Sequence, residues 1–259
     1  METEATEAVH LIARYVKAFR AERAENELEI RLGSIDCAHF QAGIDKNIFD
    51  QLERDLQDAP TLTTDNRWIE ILDYHFLNQR SQPARTRVTY DSDGMTLLRE
   101  HISKCNLEHV VLARNEGGEE ACKIVRAREA PLTDVPNACI PTHVRVKQRK
   151  RYLDVRDGNT VWSYELARTW SATTRTAVEH LQQNSEPRYE VEVELIDSTG
   201  AYLEAHDDAE VATSLLMKAA LLLGEESSSA LSLSSHRLAV PEAPRRRKRR
   251  TPPGECARR

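Results

Sequence analysis

The feature that most constrains the fold is a set of eight segments in which apolar and polar residues alternate, with few helical stretches between them. Successive side chains of a strand point to opposite faces, so this alternation is typical of half-buried β-strands. Because helices do not alternate with the strands, the pattern argues against a doubly wound fold and favours an antiparallel sheet, barrel or sandwich. The segments are 27–33, 68–76, 85–91, 107–114, 121–129, 143–155, 161–169 and 188–195.

Three other segments have the period of a helix. Residues 3–23 place Val9, Ile12, Val16 and Phe19 on one stripe. Residues 45–56 repeat the pattern after Asp45, a plausible N-cap, and the Ala/Leu-rich stretch 207–224 closes the body. The sequence therefore predicts an α+β, mainly β, domain over residues 1–224, with hairpin turns at 91–94 and 157–159.

The last 35 residues differ in composition. From Glu225 onward the chain is rich in Ser and Pro, carries the basic run 245–250, and holds nine Lys/Arg against four acids. We expect residues 225–259 to be a disordered basic tail, because they offer little to bury. The run resembles a nuclear-localisation or RNA-contacting patch, which predicts a nuclear location without excluding a cytoplasmic or viral setting.

Composition excludes several classes of protein. Residues 1–224 hold 27 bases against 38 acids, so the body is a poor non-specific binder of DNA, and a polyanion would need a localised cationic pocket. No apolar run approaches the ~18 residues of a membrane span, which predicts no membrane partner. The five cysteines are odd in number and form no CxxC pair, which argues against a disulfide framework and a structural zinc site.

Alternation also places charged residues on shared faces of the predicted strands. An exposed sheet face looks the same, so a single such strand proves little. Like charges ~7 Å apart cost only ~0.6 kcal/mol in bulk water but ~2.4 kcal/mol at an effective dielectric near 20, so acidic rows inside a barrel need cations opposite them. The rows are Glu27, Glu29 and Arg31; Arg145, Lys147, Arg149 and Arg151; and Glu190, Glu192 and Glu194.

A closed barrel with acidic and basic rows in its lumen would suit one class of ligand. Carboxylate oxygens converging from two strands bind Mg²⁺ or Mn²⁺. Arg and Lys opposite them grip phosphate oxygens. Such a lumen is suited to a polyphosphate and to phosphoryl transfer.

The motifs ELEIRLG at 27–33, RVKQRKRY at 145–152 and YEVEVEL at 189–195 resemble those of the triphosphate-tunnel metalloenzymes. The sequence is most similar to the metal-dependent RNA 5′-triphosphatases of fungal, protozoan and viral mRNA capping. RVTYDSDG, ISKCNL, KIVRAREAPL and WSYEL appear in that family's order, over about Glu27 to Leu195. The resemblance implies a closed antiparallel eight-stranded barrel, the triphosphate tunnel, with flanking helices.

The resemblance also implies roles for individual residues. Glu27, Glu29 and Glu194 would ligate Mg²⁺ or Mn²⁺, and Glu129 would position the attacking water. Glu190 and Glu192 would line the tunnel. The strand WSYELART departs from the family's Asp-Leu-Thr, since Glu165 keeps a carboxylate but Ala167 loses the hydroxyl. The expected phosphate-binding cations are Arg87, Lys104, Arg145, Lys147 and Arg149, with Arg31, Lys123 and Arg151 as further wall residues.

The implied activity is hydrolysis of the γ-phosphate of 5′-triphosphate RNA to diphosphate-ended RNA and orthophosphate, the first step of cap formation. The chain contains no KxDG motif, so a separate mRNA guanylyltransferase is the implied partner. Oligomeric state is left open by the sequence. A P-loop ATPase is excluded, because GxxxxGK[ST] does not occur.

Three alternatives stay open at this stage. One is a tunnel enzyme acting on inorganic tripolyphosphate or a small organic triphosphate, although such relatives typically show ExExK where this chain has Glu27, Glu29 and Arg31. A second is a cysteine phosphatase, since Cys122 and Arg128 have the Cx5R spacing. The third is a non-catalytic RNA-binding module that depends on the tail.

Overall fold

Eight of the strands close into one antiparallel barrel. The computed structural model describes residues 2–37, 39–78, 82–91, 93–114, 119–132, 141–225 and 231–233. In the barrel each strand is hydrogen-bonded to the next in the order β1-β10-β9-β8-β4-β5-β6-β7, and β7 pairs with β1 again. The strands are β1 (Asn26–Asp36), β2 (His39–Ala42), β3 (Leu62–Thr63), β4 (Ile69–Leu77), β5 (Pro83–Tyr90), β6 (Thr96–Arg114), β7 (Glu120–Pro131), β8 (His143–Arg156), β9 (Asn159–Ala172), β10 (Arg188–Leu195) and β11 (Leu231–Leu233).

The described residues also form five α-helices, and none of these is long and apolar enough to span a membrane. Asp45 caps the second helix, because its carboxylate accepts a hydrogen bond from the Asn47 N–H at 2.8 Å, as the sequence predicted. The helices are α1 (Glu2–Ala21), α2 (Lys46–Asp58), α3 (Arg175–Asn184), α4 (Ala201–Ala205) and α5 (Asp208–Leu222).

Each of the eight predicted strand segments lies within a barrel strand, or within one residue of its end. The closed barrel with flanking helices is therefore confirmed. The two-residue turn 157–158 joins β8 to β9 with positive φ at both positions, as a tight hairpin requires.

The strand β6 is much longer than the predicted segment 107–114. A β-bulge between Asn106 and Glu108 inserts one extra residue opposite β7. The lumen-facing side chains therefore have even numbers before the bulge, as at Lys104, and odd numbers after it, as at His109. This change of phase hid the first half of the strand from a search for regular alternation.

The hydrophobic core lies outside the barrel, between its outer face and the helices. The stripe of α1 is buried there, with Ile12 and Val16 fully inaccessible to solvent. It packs in one cluster with Leu28 and Ile30 of β1 and with Leu215 of α5. Because helices cover the outer face, the inner face is left to the polar residues of each alternating strand.

A smaller apolar cluster lies under α3, a helix that the sequence analysis did not predict. Thr174 caps it by accepting a hydrogen bond from the Ala177 N–H at 3.2 Å. Val178 of this helix is buried against Val146 and Trp170 on the outer face of β8 and β9.

The predicted tail, 225–259, falls mostly outside the described residues, including the basic run. Within it, Glu225 forms an ion pair with Arg114 at 2.5 Å. Leu231–Leu233 pair with Leu112–Arg114 at the end of β6.

Candidate active site

The inner face of the barrel gathers all twelve predicted catalytic and metal-binding side chains. Strand register and alternation put Glu27, Glu29 and Arg31 of β1 on this face, next to Glu194 and Glu192 of β10. Glu29 and Glu194 are directly opposite each other, so their Cβ atoms are about 4.5–5.5 Å apart. The functions of these residues stay predictions.

The basic row of β8 extends along the lumen and meets carboxylates from β9 and β10. Arg145 binds Glu190, and Lys147 binds Glu165. Lys147 also lies 3.5 Å from Glu192 Oε2. Three cations of this row are therefore neutralised within the protein, the last through an Arg149 Nη1 to Glu165 Oε2 distance of 3.2 Å.

A second group of charges lies across the bore, on β5, β6 and β7. Lys104 binds Glu27 and is 3.3 Å from Glu129 Oε1. Arg85 Nη2 is 2.7 Å from the same Glu129 oxygen. Glu129, the predicted water-positioning residue, is thus held between two cations, which together lower its pKa although burial alone would raise it.

Carboxylates crowd at the β1–β10 junction, where Lys104 and Arg31 pair with Glu27 and Glu29 but no cation pairs with Glu194 within the described residues. Burial, followed by the charges of Glu27 and Glu29, raises the pKa of Glu194 to about 8. Burial, with Glu129 and Glu29 adding to it, raises the pKa of Glu27 to about 7 even though Lys104 opposes the shift. A positive charge placed here would lower both pKa values.

The pKa values of the carboxylates beside β8 are shifted in the opposite direction. Burial would raise the pKa of Glu192, but Lys147, Arg31 and Arg145 lower it well below its ordinary value. The pKa of Glu165 is also lowered, since the attraction of Lys147 outweighs burial. These two glutamates are ionised and already paired.

The predicted metal ligands fit a hard divalent cation by their chemistry. They supply carboxylate oxygens, which Mg²⁺ and Mn²⁺ prefer, and of the three only Glu194 forms no ion pair within the described residues. Within the described part of the chain, no three His, Cys, Asp or Glu side chains are arranged to hold a metal as they are oriented. Glu27 turns to Lys104 and Glu29 to Arg31 at 2.6 Å, so ion binding requires these carboxylates to leave their cations.

Two residues that form ion pairs in the described part of the lumen were missing from the predicted site. Asp73 of β4 is 1% exposed and accepts two hydrogen bonds from Arg87, at 2.9 and 3.2 Å. Burial would raise the pKa of Asp73, but Arg87 lowers it. Arg85 pairs with Glu129, as described above. A charged residue at the inward phase of a mostly apolar strand is the signal that identifies Asp73.

The cysteine-phosphatase alternative does not fit this geometry. Cys122 lies within β7 and is 0% exposed. Its side chain is on the same face of the strand as that of Ile124 and packs in the core outside the barrel. Burial raises the pKa of its thiol to about 12, so the reactive thiolate is disfavoured. Cys122 is a core residue.

Comparison with known proteins bears on the fold. No protein-family model and no curated protein sequence matches the chain. The solved structure of the S. pombe Pct1 RNA triphosphatase is similar over 84% of this chain and 92% of that one, with a TM-score of 0.56 and 16% identity. The chain has the triphosphate-tunnel fold.

Two further structures are similar to the chain. Pct1 in complex with the Spt5 CTD covers 83% of this chain and 92% of its own, with a TM-score of 0.59 and 15% identity. The RNA triphosphatase domain of a trifunctional mimivirus mRNA capping enzyme covers 86% and 97%, with a TM-score of 0.47 and 14% identity. At 15–16% identity the likeness to the two Pct1 structures concerns the fold alone, and the chemistry has to be argued from the lumen itself.

Proposed function

We propose that this protein hydrolyses the β–γ phosphoanhydride of 5′-triphosphate RNA, giving diphosphate-ended RNA and orthophosphate. The observation that carries the proposal is the division of one lumen into a corner of crowded carboxylates and a row of cations. Glu27, Glu29 and Glu194 form the corner, and the row extends along β8. A triphosphate with a divalent ion complements both parts.

The acidic corner would hold Mg²⁺ or Mn²⁺ through the carboxylates of Glu27, Glu29 and Glu194. When bound, the ion would polarise the γ-phosphate and offset the negative charge that develops on it. Its positive charge would also favour the ionised forms of Glu27 and Glu194, whose pKa values burial raises to about 7 and about 8.

The cations of the lumen would bind and orient the phosphates. Arg145, Lys147 and Arg149 are held in place by carboxylates of β9 and β10, so they are positioned before substrate enters. Such preorganised charges stabilise the transition state without reorganisation. Arg87, fixed by Asp73, and Lys104 extend the same role to the opposite wall.

A water molecule must be directed at the γ-phosphorus. Glu129 is suited to this task, since Arg85 and Lys104 keep it ionised and fix its carboxylate. Glu190 and Glu192 are the other carboxylates that could orient the water or accept its proton. Replacing Glu129 by Gln would keep its size and hydrogen bonding while removing its basicity.

The test is release of labelled γ-phosphate from triphosphate-ended RNA with Mg²⁺, with Mn²⁺ and with EDTA, beside ATP and inorganic tripolyphosphate. The proposal expects ion-dependent release from RNA and diphosphate RNA as the other product. Turnover of tripolyphosphate without turnover of RNA would instead support the small-triphosphate alternative. No divalent-ion-dependent release from any of the three substrates would exclude both activities.

The remaining parts of the proposal concern partners and location. The product, diphosphate-ended RNA, is the acceptor for guanylylation, so we propose an mRNA guanylyltransferase as partner. The basic run 245–250 supports a nuclear location through its composition. A fusion of residues 225–259 to a fluorescent protein, with and without this run, tests the location.

A further inference from the structure

The β8 row connects two different mouths of the tunnel. Its inward residues extend from Leu153 at one end to His143 at the other, about 33 Å of extended chain. At the Leu153 end the short strand β3 pairs with β8 and brings the loop 63–65 to the rim. At the His143 end, the rings of His143 and His75 stack with centroids 4.0 Å apart.

A cleft of 470 Å³ lies at the Leu153 end. Its walls are Thr63, Thr64 and Asp65 on one side and Arg149, Arg151 and Leu153 on the other. Arg149 also binds Glu165 inside the lumen, so the cleft is continuous with the phosphate-binding row. The volume is within the range of about 300–1,000 Å³ that is typical of small-molecule sites.

Arg151 differs from the other three cations of its row. Arg145, Lys147 and Arg149 each have a carboxylate partner. Within the described residues, Arg151 has none and donates only to the Ser163 hydroxyl, at 3.1 Å. The charge of Arg151 acts on Glu194, but no carboxylate in the described part of the chain lies within ion-pair distance of its guanidinium, so this cation at the junction of lumen and cleft can bind a phosphate oxygen.

The loop offers groups that suit a sugar rather than a phosphate. Asp65 Oδ1 accepts a hydrogen bond from the Arg67 N–H at 3.2 Å, and its carboxylate retains acceptor capacity for a hydroxyl group. Thr64 Oγ1 accepts from the Asn66 N–H at 3.0 Å, which leaves its own O–H available as a donor. A carboxylate on this rim would repel a further phosphate.

We propose that this cleft binds the first nucleoside of the substrate, so that the triphosphate enters the tunnel from the Leu153 end. Arg151 then contacts the α-phosphate, and the deeper cations contact the β- and γ-phosphates. Asp65 and Thr64 bind the ribose, whose 2′-hydroxyl distinguishes RNA from DNA. The inference rests on the proposed hydrolysis. It adds the polarity of binding, meaning the end from which the substrate enters the tunnel, and the contacts that select RNA over DNA.

The test places a bulky side chain at each mouth in turn. Leu153→Trp and His143→Trp lie on the same strand and the same face, and each narrows one opening. The measured quantity is the ratio of kcat/KM on triphosphate-ended RNA to kcat/KM on tripolyphosphate, which has no nucleoside. We expect Leu153→Trp to lower this ratio on the order of tenfold or more, as loss of a nucleoside site requires, and His143→Trp to leave it unchanged.

A second variant keeps the proposal testable if Leu153→Trp fails to fold. Asp65→Ala removes an exposed loop side chain with its one hydrogen bond from the Arg67 N–H, and it should reduce the preference for a ribose over a 2′-deoxyribose at the first nucleotide. An unchanged ratio for Leu153→Trp, or a larger loss for His143→Trp, would overturn the polarity.

Failure of the proposed function would look different. Wild-type protein inactive on RNA but active on ATP and tripolyphosphate would end the RNA assignment. In that case a selective loss on ATP in Leu153→Trp would still support the nucleoside site.

Discussion

Glutamates on the two sides of the tunnel have pKa values shifted in opposite directions. At the β1–β10 junction, burial and neighbouring carboxylates raise the pKa of Glu27 to about 7 and that of Glu194 to about 8. Beside β8, Lys147 lowers the pKa values of Glu165 and Glu192 against the effect of burial. All four glutamates line one bore and burial acts to raise the pKa of each, so the difference comes from the neighbouring charges, which are mainly carboxylates for Glu194 and mainly cations for Glu192.

We therefore expect the two groups of glutamates to have different roles: one group is available to bind an ion, and the other holds lumen cations in place. A carboxylate already paired with Lys147 holds that cation in place for a phosphate. A carboxylate crowded by others gains most from an added cation, because the charge repulsion is then relieved. The comparison predicts that the acidic corner governs ion binding and that the β8 side governs rigidity and phosphate binding.

The largest expected effect is on catalysis when the acidic corner is changed. Glu194→Gln removes one proposed ligand and should lower kcat about a thousandfold, since metal assistance contributes several kcal/mol to the barrier. Phosphate release from triphosphate RNA at saturating Mg²⁺ or Mn²⁺ measures it. Glu179→Gln on the exposed face of α3 is the matched control and should retain activity. Nearly full activity in Glu194→Gln would contradict the assignment of the corner.

The next largest expected effect is on the free energy of unfolding, which should differ between variants on the two sides of the tunnel. Lys147→Met leaves the partly buried Glu165 and Glu192 without their main cation, with Arg149 and Arg31 as remaining partners, and should lower the free energy of unfolding by about 1–3 kcal/mol. Glu194→Gln should not destabilise the metal-free protein, because it relieves repulsion. Urea denaturation of both variants in EDTA tests the contrast. Equal losses in the two variants would show that the sides do not differ.

A smaller effect concerns pH. The pKa of Glu194 is raised to about 8, so the folded metal-free protein retains a proton that the unfolded chain releases near its ordinary pKa of 4.5. The stability linked to this proton is fully present below about pH 4.5 and is lost as pH rises to about 8. Melting temperatures in EDTA should therefore fall over this interval, and the Glu194→Gln variant should show a shallower fall. Mg²⁺ or Mn²⁺ added at the upper pH should restore stability to the wild type, and a lack of response would count against ion binding.

The smallest expected effect comes from removing one hydroxyl group beside β8, where the carboxylates are paired with cations. Thr169 Oγ1 donates to Glu190 Oε1 at 3.1 Å and thereby supports the Glu190–Arg145 pair. Thr169→Val should cost about 0.5–1.5 kcal/mol of stability, with a modest loss of activity. Thr169→Ser keeps the hydroxyl and serves as the control. If the Ser and Val variants behave alike, the hydrogen bond contributes little.

Much of the site was predictable because a barrel preserves the period of its strands. Once the strands close, residues two apart on one strand necessarily share the lumen, so the rows of β1, β8 and β10 follow from their spacing. Asp73 was missed because it stands alone in a mostly apolar strand, with no row to mark it. The first half of β6 was missed because the bulge after Asn106 changes the phase of alternation.

The sequence by itself determined the eight barrel strands, the mostly polar inner rows and the outer apolar rows, because these depend on side-chain period alone. Only the tertiary structure decided which rows meet. Register brings Glu29 opposite Glu194 and sets Lys147 beside Glu165 and Glu192. These contacts join residues far apart in the chain, and their electrostatic energy depends on distance and burial, which no local pattern specifies.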